Sequence, residues 1–135
     1  MELALIDTNI VSMFMRGHPV VKSCVAAYIK EYHRLNLSII TIYEALSGLK
    51  HRDAKKQTAS FKALVELSEV WPLTEQSVEA SAEMYATLRK KGQAIDDIDL
   101  LIAGIAKANG FVVVTNNRKH FDPIDGIIVE DWSDS

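Results

Sequence analysis

Cysteine is nearly missing from this 135-residue chain: Cys24 stands alone, so no internal disulfide forms, and a reducing, cytoplasmic compartment fits. No pattern sets a histidine beside Cys24, which reads as a small apolar side chain rather than a nucleophile. The four histidines, His18, His33, His51 and His120, lack zinc-ligand spacing and read as surface or capping residues. Long apolar runs are missing too: none approaches the roughly 18 residues of a membrane span, and residues 2–6 are too short for a signal peptide's apolar core. Repeats, linkers and low-complexity stretches do not occur. A basic excess is also lacking, with 15 Lys and Arg against 18 Asp and Glu and a net charge of −3. The overall field therefore attracts no polyanion, and any polyanion has to be met locally, by basic side chains or by bound cations.

What remains is ordinary globular composition in a length that suits a single domain, 1–135, able to bury a core without staples. Five apolar runs read as strands: Leu3–Ile6, Leu37–Ile40, Val70–Leu73 interrupted by Pro72, Phe111–Thr115 and Ile127–Val129. Helical stripes lie between them. Val21, Cys24, Val25, Tyr28 and Tyr32 form one, Phe61, Leu64 and Val65 a shorter one, and Val78, Ala82, Tyr85 and Leu88 another that Gly92 ends. A last stripe, Ile98, Leu101, Ile102 and Ile105, ends at Asn109-Gly110, and Ala103, Gly104 and Ala106 suit close packing of that helix on a sheet. Alternating strands and helices predict an α/β sandwich with a parallel sheet covered on both faces. FVVVT, apolar without alternation, suits a central strand, while Pro72 sends the third run to an edge.

Acids gather at one edge of this sheet. Asp7 directly follows the first strand, at the C-terminal rim where open α/β sheets hold ligands. Glu44 falls in the first turn of a helix beginning at Thr41, on the same rim, although Thr41-Ile42-Tyr43-Glu44 also has capping-box spacing, and taken alone the cap is the better reading. Asp96 suits an N-cap, placing Asp99 at the third position of a helix that feeds into FVVVT, so its start also lies at that rim. Asn116 and Asn117, just past the central strand, read as turn residues, and Asn117 offers an amide oxygen as a hard ligand. Each acid has a structural reason of its own, but the cluster does not: like charges in one cleft repel unless a cation neutralises them. Carboxylates, amide and water without a His or Cys cluster suit Mg²⁺, with Mn²⁺ as substitute, and such an ion activates water and stabilises charge when a phosphodiester is cut.

The order LIDTNI, a helix-start glutamate, IDDIDLLIAGIAKANGFVVVTNNRKHF and finally IIVEDW resembles the PIN domain, in particular the toxin ribonucleases of VapBC toxin–antitoxin systems. The resemblance runs nearly the whole chain. It implies a three-layer α/β/α sandwich around a parallel five-stranded sheet, homodimerisation, RNA as substrate, and inhibition by a small VapB-type antitoxin. Asp7, Glu44 and Asp99 become the metal-binding, catalytic acids. A fourth acidic position falls on Asn117, and Asp97 is either an auxiliary ligand or solvated. Asn9 and Thr115, with Asn116 in the turn, support the site. Arg118 and Lys119 are candidates for phosphate contact. For Lys50, Arg52, Lys55 and Lys56 a solvated helix face is the better reading, and Met13, Phe14 and Met15 suit core or dimer contact.

Rival readings fare worse. A phosphatase of the haloacid-dehalogenase type needs a second aspartate where Asn9 stands, and a receiver domain needs an acceptor aspartate after a middle strand. A PIN-like module that only binds RNA or a partner is favoured by lost acids, and only Asn117 points that way. The expected function is a Mg²⁺-dependent endoribonuclease.

Overall fold

The computed structural model describes residues 1–134. Each expected strand forms but is shorter than its apolar run, with β2 and β3 starting one residue earlier and β5 starting only at Val129. The elements are β1 (Ala4–Ile6), α1 (Thr8–Met15), α2 (Pro19–Tyr32), β2 (Asn36–Ser38), α3 (Ile39–His51), α4 (Lys55–Glu66), β3 (Glu69–Trp71), α5 (Glu75–Lys90), α6 (Asp97–Asn109), β4 (Val112–Val114), α7 (Arg118–Phe121) and β5 (Val129–Glu130). All pairings are parallel: Ala4 to Ile6 pair with Val112 to Val114, Val113 and Val114 pair with Val129 and Glu130, and Asn36 to Ser38 pair with Glu69 to Trp71.

The five strands run in the order β3-β2-β1-β4-β5, as a three-stranded and a two-stranded ladder that meet where β1 lies beside β2. Side chains bridge that seam. Asn36 Nδ2 donates to the Ala4 carbonyl at 3.1 Å and to Tyr28 Oη at 2.8 Å, and Asn36 Oδ1 accepts from Trp71 Nε1 at 3.0 Å. Ala4 N–H donates to Tyr28 Oη at 3.1 Å. Tyr28 is fully buried, so every polar atom here has to find a partner inside the protein, and it does.

Strand alternation builds two cores. Ala4, Ile6, Val112 and Val114 face Ile10, Val21, Tyr28 and Phe61 from α1, α2 and α4. Leu5 and Val113 face Met84, Leu88, Ile102 and Ile105 from α5 and α6. Helices on both sides explain why FVVVT is apolar throughout: neither face of β4 meets water. Among the described residues no helix is long and apolar enough to cross a membrane.

Several local expectations change. Helix α3 starts at Ile39, not Thr41, because Ser38 is the N-cap and accepts from Thr41 N–H at 3.0 Å. Glu44 is thus in the second turn and caps nothing. Trp71 ends β3 and Pro72 follows it, so the proline terminates the strand rather than interrupting it. On α5 the buried stripe is Ser77, Ser81, Met84 and Leu88, one position away from the expected Val78, Ala82 and Tyr85, which are exposed. The reason lies on α6: a Cβ at Gly104 would stand 1.9 Å from Ser81 Oγ, so Gly104 admits α5 rather than the sheet. Ser81 Oγ in turn donates to the Leu100 carbonyl at 2.8 Å, which satisfies its polar atom in the core. Gly110 ends α6 with φ of 73°, where a side chain would be strained.

Candidate functional site

The aspartate that follows β1, Asp7, is the N-cap of α1, and only 4% of it is exposed. Its Oδ1 accepts from Thr8 N–H at 2.8 Å and its Oδ2 from Thr115 Oγ1 at 2.8 Å. Thr115 is itself fully buried, just past β4. Its hydroxyl oxygen accepts from Asn117 N–H at 3.0 Å and from Asn9 Nδ2 at 3.4 Å, which leaves its single proton for Asp7. Asn9 Oδ1 accepts from Asn116 N–H at 3.3 Å, so Asn9 ties the turn after β4 to the first turn of α1.

Burial pushes the Asp7 carboxyl up to about 6, and the charges of Asp99 and Glu44 push the same way, against the Thr115 hydroxyl and the Thr8 N–H. At about 1.4 kcal/mol per pH unit, keeping Asp7 ionised at neutral pH costs the metal-free fold about 3 kcal/mol.

Two more acids arrive from other elements. Glu44 Oε1 accepts from Thr8 Oγ1 at 2.6 Å, and Thr8 Oγ1 shares a 3.2 Å hydrogen bond with Thr41 Oγ1. Asp99 sits at the third position of α6 behind the Asp96 cap, which accepts from Ile98 N–H at 2.9 Å. Its Oδ2 lies 3.2 Å from His120 Nδ1. Burial raises the Asp99 carboxyl, Asp96 adds to this, and the His120 contact opposes it. Asp97 is exposed in the same turn.

As these side chains stand, with Glu44 on Thr8 and Asp99 on His120, no three Asp, Glu, His or Cys residues among those described form a ready metal cage. The donor chemistry nevertheless fits a hard divalent cation. Three carboxylates without sulfur or an imidazole cluster provide oxygen ligands, and the buried one has an ionised form that lacks compensating positive charge.

The other candidates separate. Asn117 is exposed at the start of α7 and makes no side-chain cap there. Arg118 is tied down, 3.5 Å from Asp122 and donating to the Val129 carbonyl at 3.1 Å, whereas Lys119 is exposed. Arg52 and Lys56 line a cavity of about 500 Å³ between α1, α3 and α4, together with Arg16; Lys50 and Lys55 do not. Met13, Phe14 and Met15 pack against the core on the α1 side. Sequence patterning passes over Thr8, Thr41 and His120 as neighbours of the acids. Thr8 adjoins Asp7 in DTN and His120 follows Asn117 by three residues, so proximity in the motifs is the available signal.

The PIN domain family matches residues 4–127 of the chain. The tRNA(fMet)-specific endonuclease VapC of Salmonella typhimurium is 31% identical over 134 residues, covering 95% of this chain and 96% of that protein. Among solved structures, DNA-bound VapBC from Salmonella typhimurium superposes with a TM-score of 0.86 at 29% identity, covering 98% of this chain and 99% of that one. VapBC2 from Rickettsia felis, bound to a DNA fragment from their promoter, gives 0.87 at 27% identity, covering 96% and 98%.

Proposed function

The chain belongs to the PIN domain family, and from that premise we propose that it is the toxin of a toxin–antitoxin pair, a metal-dependent endoribonuclease that hydrolyses RNA phosphodiester bonds. The observation that carries this reading is the buried Asp7 carboxyl at the C-terminal rim of β1, pushed up to about 6 with Asp99 and Glu44 bearing on it. Buried acids with raised pKa values in a cleft concentrate at functional sites, where a cation or a proton meets the charge.

Asp7, Asp99 and Glu44 hold Mg²⁺, or Mn²⁺ in its place, with Asp97 and Asn117 the exposed oxygens available to complete the shell. When bound, the cation supplies charge neutralisation at the scissile phosphate and activation of water. The protein's own part is positioning. Thr115 fixes the orientation of Asp7 and donates to its charged form; Asn9 and the turn at Asn116 lock Thr115 in place. Thr8 and His120 restrain Glu44 and Asp99, which are partly buried at the rim. Hydrogen bonds of this kind orient ligands and tune their basicity. The partners are RNA, a VapB-type antitoxin and a second copy of the chain, in the cytoplasm.

The test is cleavage of total cellular RNA by purified, antitoxin-free protein with Mg²⁺ or Mn²⁺, with EDTA, and with Asp7→Asn alongside. Discrete fragments that need both metal and Asp7 support the proposal. Intact RNA throughout, from a folded protein that still binds Mn²⁺ by calorimetry, overturns the choice of substrate.

A further inference from the structure

Resting on the nuclease reading, we infer that the cavity between α1, α3 and α4 is the path of the RNA chain to the acids, with Arg16, Arg52 and Lys56 gripping its phosphates. The cavity measures about 500 Å³ and includes Thr8 and Glu44 in its wall, so the hydrogen-bonded pair that restrains one site acid is also part of the groove. The two are therefore continuous.

The charge of the groove sets it apart from the chain as a whole. Arg16, Arg52 and Lys56 are exposed and, among the described residues, none lies within salt-bridge distance of a carboxylate. Three cations against the one carboxylate of Glu44, over an apolar floor that includes Leu49 and Phe61, give the groove a local positive excess in a chain of net charge −3. Helix electrostatics explains part of this: Arg16 and Arg52 cap the C-termini of α1 and α3, where a cation is favoured. It does not explain Lys56, which sits in the first turn of α4, the end that disfavours positive charge. Ser12, Gln57 and Ser60 add neutral hydrogen-bonding groups suited to phosphate and ribose oxygens. Arg118, the alternative candidate, is engaged by Asp122 and the Val129 carbonyl and has less to offer. The basic wall thus balances the acid rim: one holds the phosphate chain, the other the ion that cuts it.

The experiment measures binding of a fluorescent single-stranded RNA oligonucleotide by anisotropy across a KCl series, in an Asp7→Asn background with Mg²⁺ so that the probe is not cut. Arg52→Ala/Lys56→Ala is compared with Lys30→Ala/Lys90→Ala, which removes the same charge from exposed helix faces elsewhere. The groove pair is expected to weaken binding several-fold and to flatten the salt dependence by about 0.7 in log–log slope for each phosphate that is no longer neutralised. The control pair keeps the parent slope, and thermal melting checks that both variants fold. Equal slopes and affinities for the two pairs overturn the inference and leave a polypeptide as the groove's occupant. If RNA is cleaved by the unmodified protein but the slopes are equal, only the path is wrong; if the unmodified protein neither binds nor cleaves RNA, the nuclease reading falls and takes the path with it.

Discussion

The two ends of β1, three residues apart, both carry buried polar networks, and they are built on opposite plans. At the Ala4 end, Tyr28, Asn36 and Trp71 form a closed, neutral set that bridges the seam between the two ladders. At the Asp7 end the network is anionic and incomplete: Thr115 and Thr8 each give one bond, yet burial still pushes the carboxyl up to about 6. A neutral network with every partner present stabilises a fold, whereas a buried charge left short of compensation is what the proposed metal site requires.

Asp7→Asn sets the ends furthest apart. RNA cleavage is expected to fall to background, while the metal-free protein becomes more stable at pH 7 by about 1–3 kcal/mol, read by thermal melting. The sign follows from the folded state binding the Asp7 proton more tightly than the unfolded chain, so native stability falls as pH rises from the ordinary aspartate value of 3.8 to about 6. The advantage of Asp7→Asn should therefore be small near pH 4, grow up to pH 6 and stay level above it. A variant that is less stable at every pH would show that the site is an ordinary cap.

Asn36→Ala tests the other end. It leaves the Trp71 N–H without its acceptor and the Ala4 carbonyl with only the 3.4 Å bond from Tyr28 Oη, and is expected to cost about 1–3 kcal/mol in urea unfolding. Cleavage per folded molecule should not change. Adding Mn²⁺ sharpens the contrast: at a hundred times its Kd it should stabilise the unmodified protein by about 2.7 kcal/mol, and Asp7→Asn far less. Thr115→Val removes the hydroxyl without changing shape and should weaken Mn²⁺ binding, by calorimetry, about 10–100-fold. Arg118→Ala, which breaks only surface contacts, should leave cleavage within about twofold of normal and stability within about 0.5 kcal/mol.

Much of the architecture is legible in local spacing. Asp96 caps α6 and Gly110 ends it as their residue types suggest, and β3 and β4 occupy edge and interior positions. The buried face of α5 escapes such reading because Ser77 and Ser81 look solvent-loving, and only the missing side chain of Gly104, on another helix, makes room to bury them. Glu44 looks like a first-turn residue because Thr41 offers a cap three residues before it, but the Ser38 hydroxyl takes that role when the strand ends at that residue.

The sequence alone determined that carboxylates would end up at the C-terminal rim of a parallel sheet. Helix caps such as Asp96 and Gly110 are settled by hydrogen bonds within a few residues of one another, so residue order is enough to read them. Only the tertiary structure decided which hydroxyl serves which acid. Thr115 lies 108 residues from Asp7 and Thr8 lies 36 from Glu44, and no local pattern links such pairs. They meet because two cores close around the strands, and it is that packing which buries Asp7 deeply enough for its charge to need an answer.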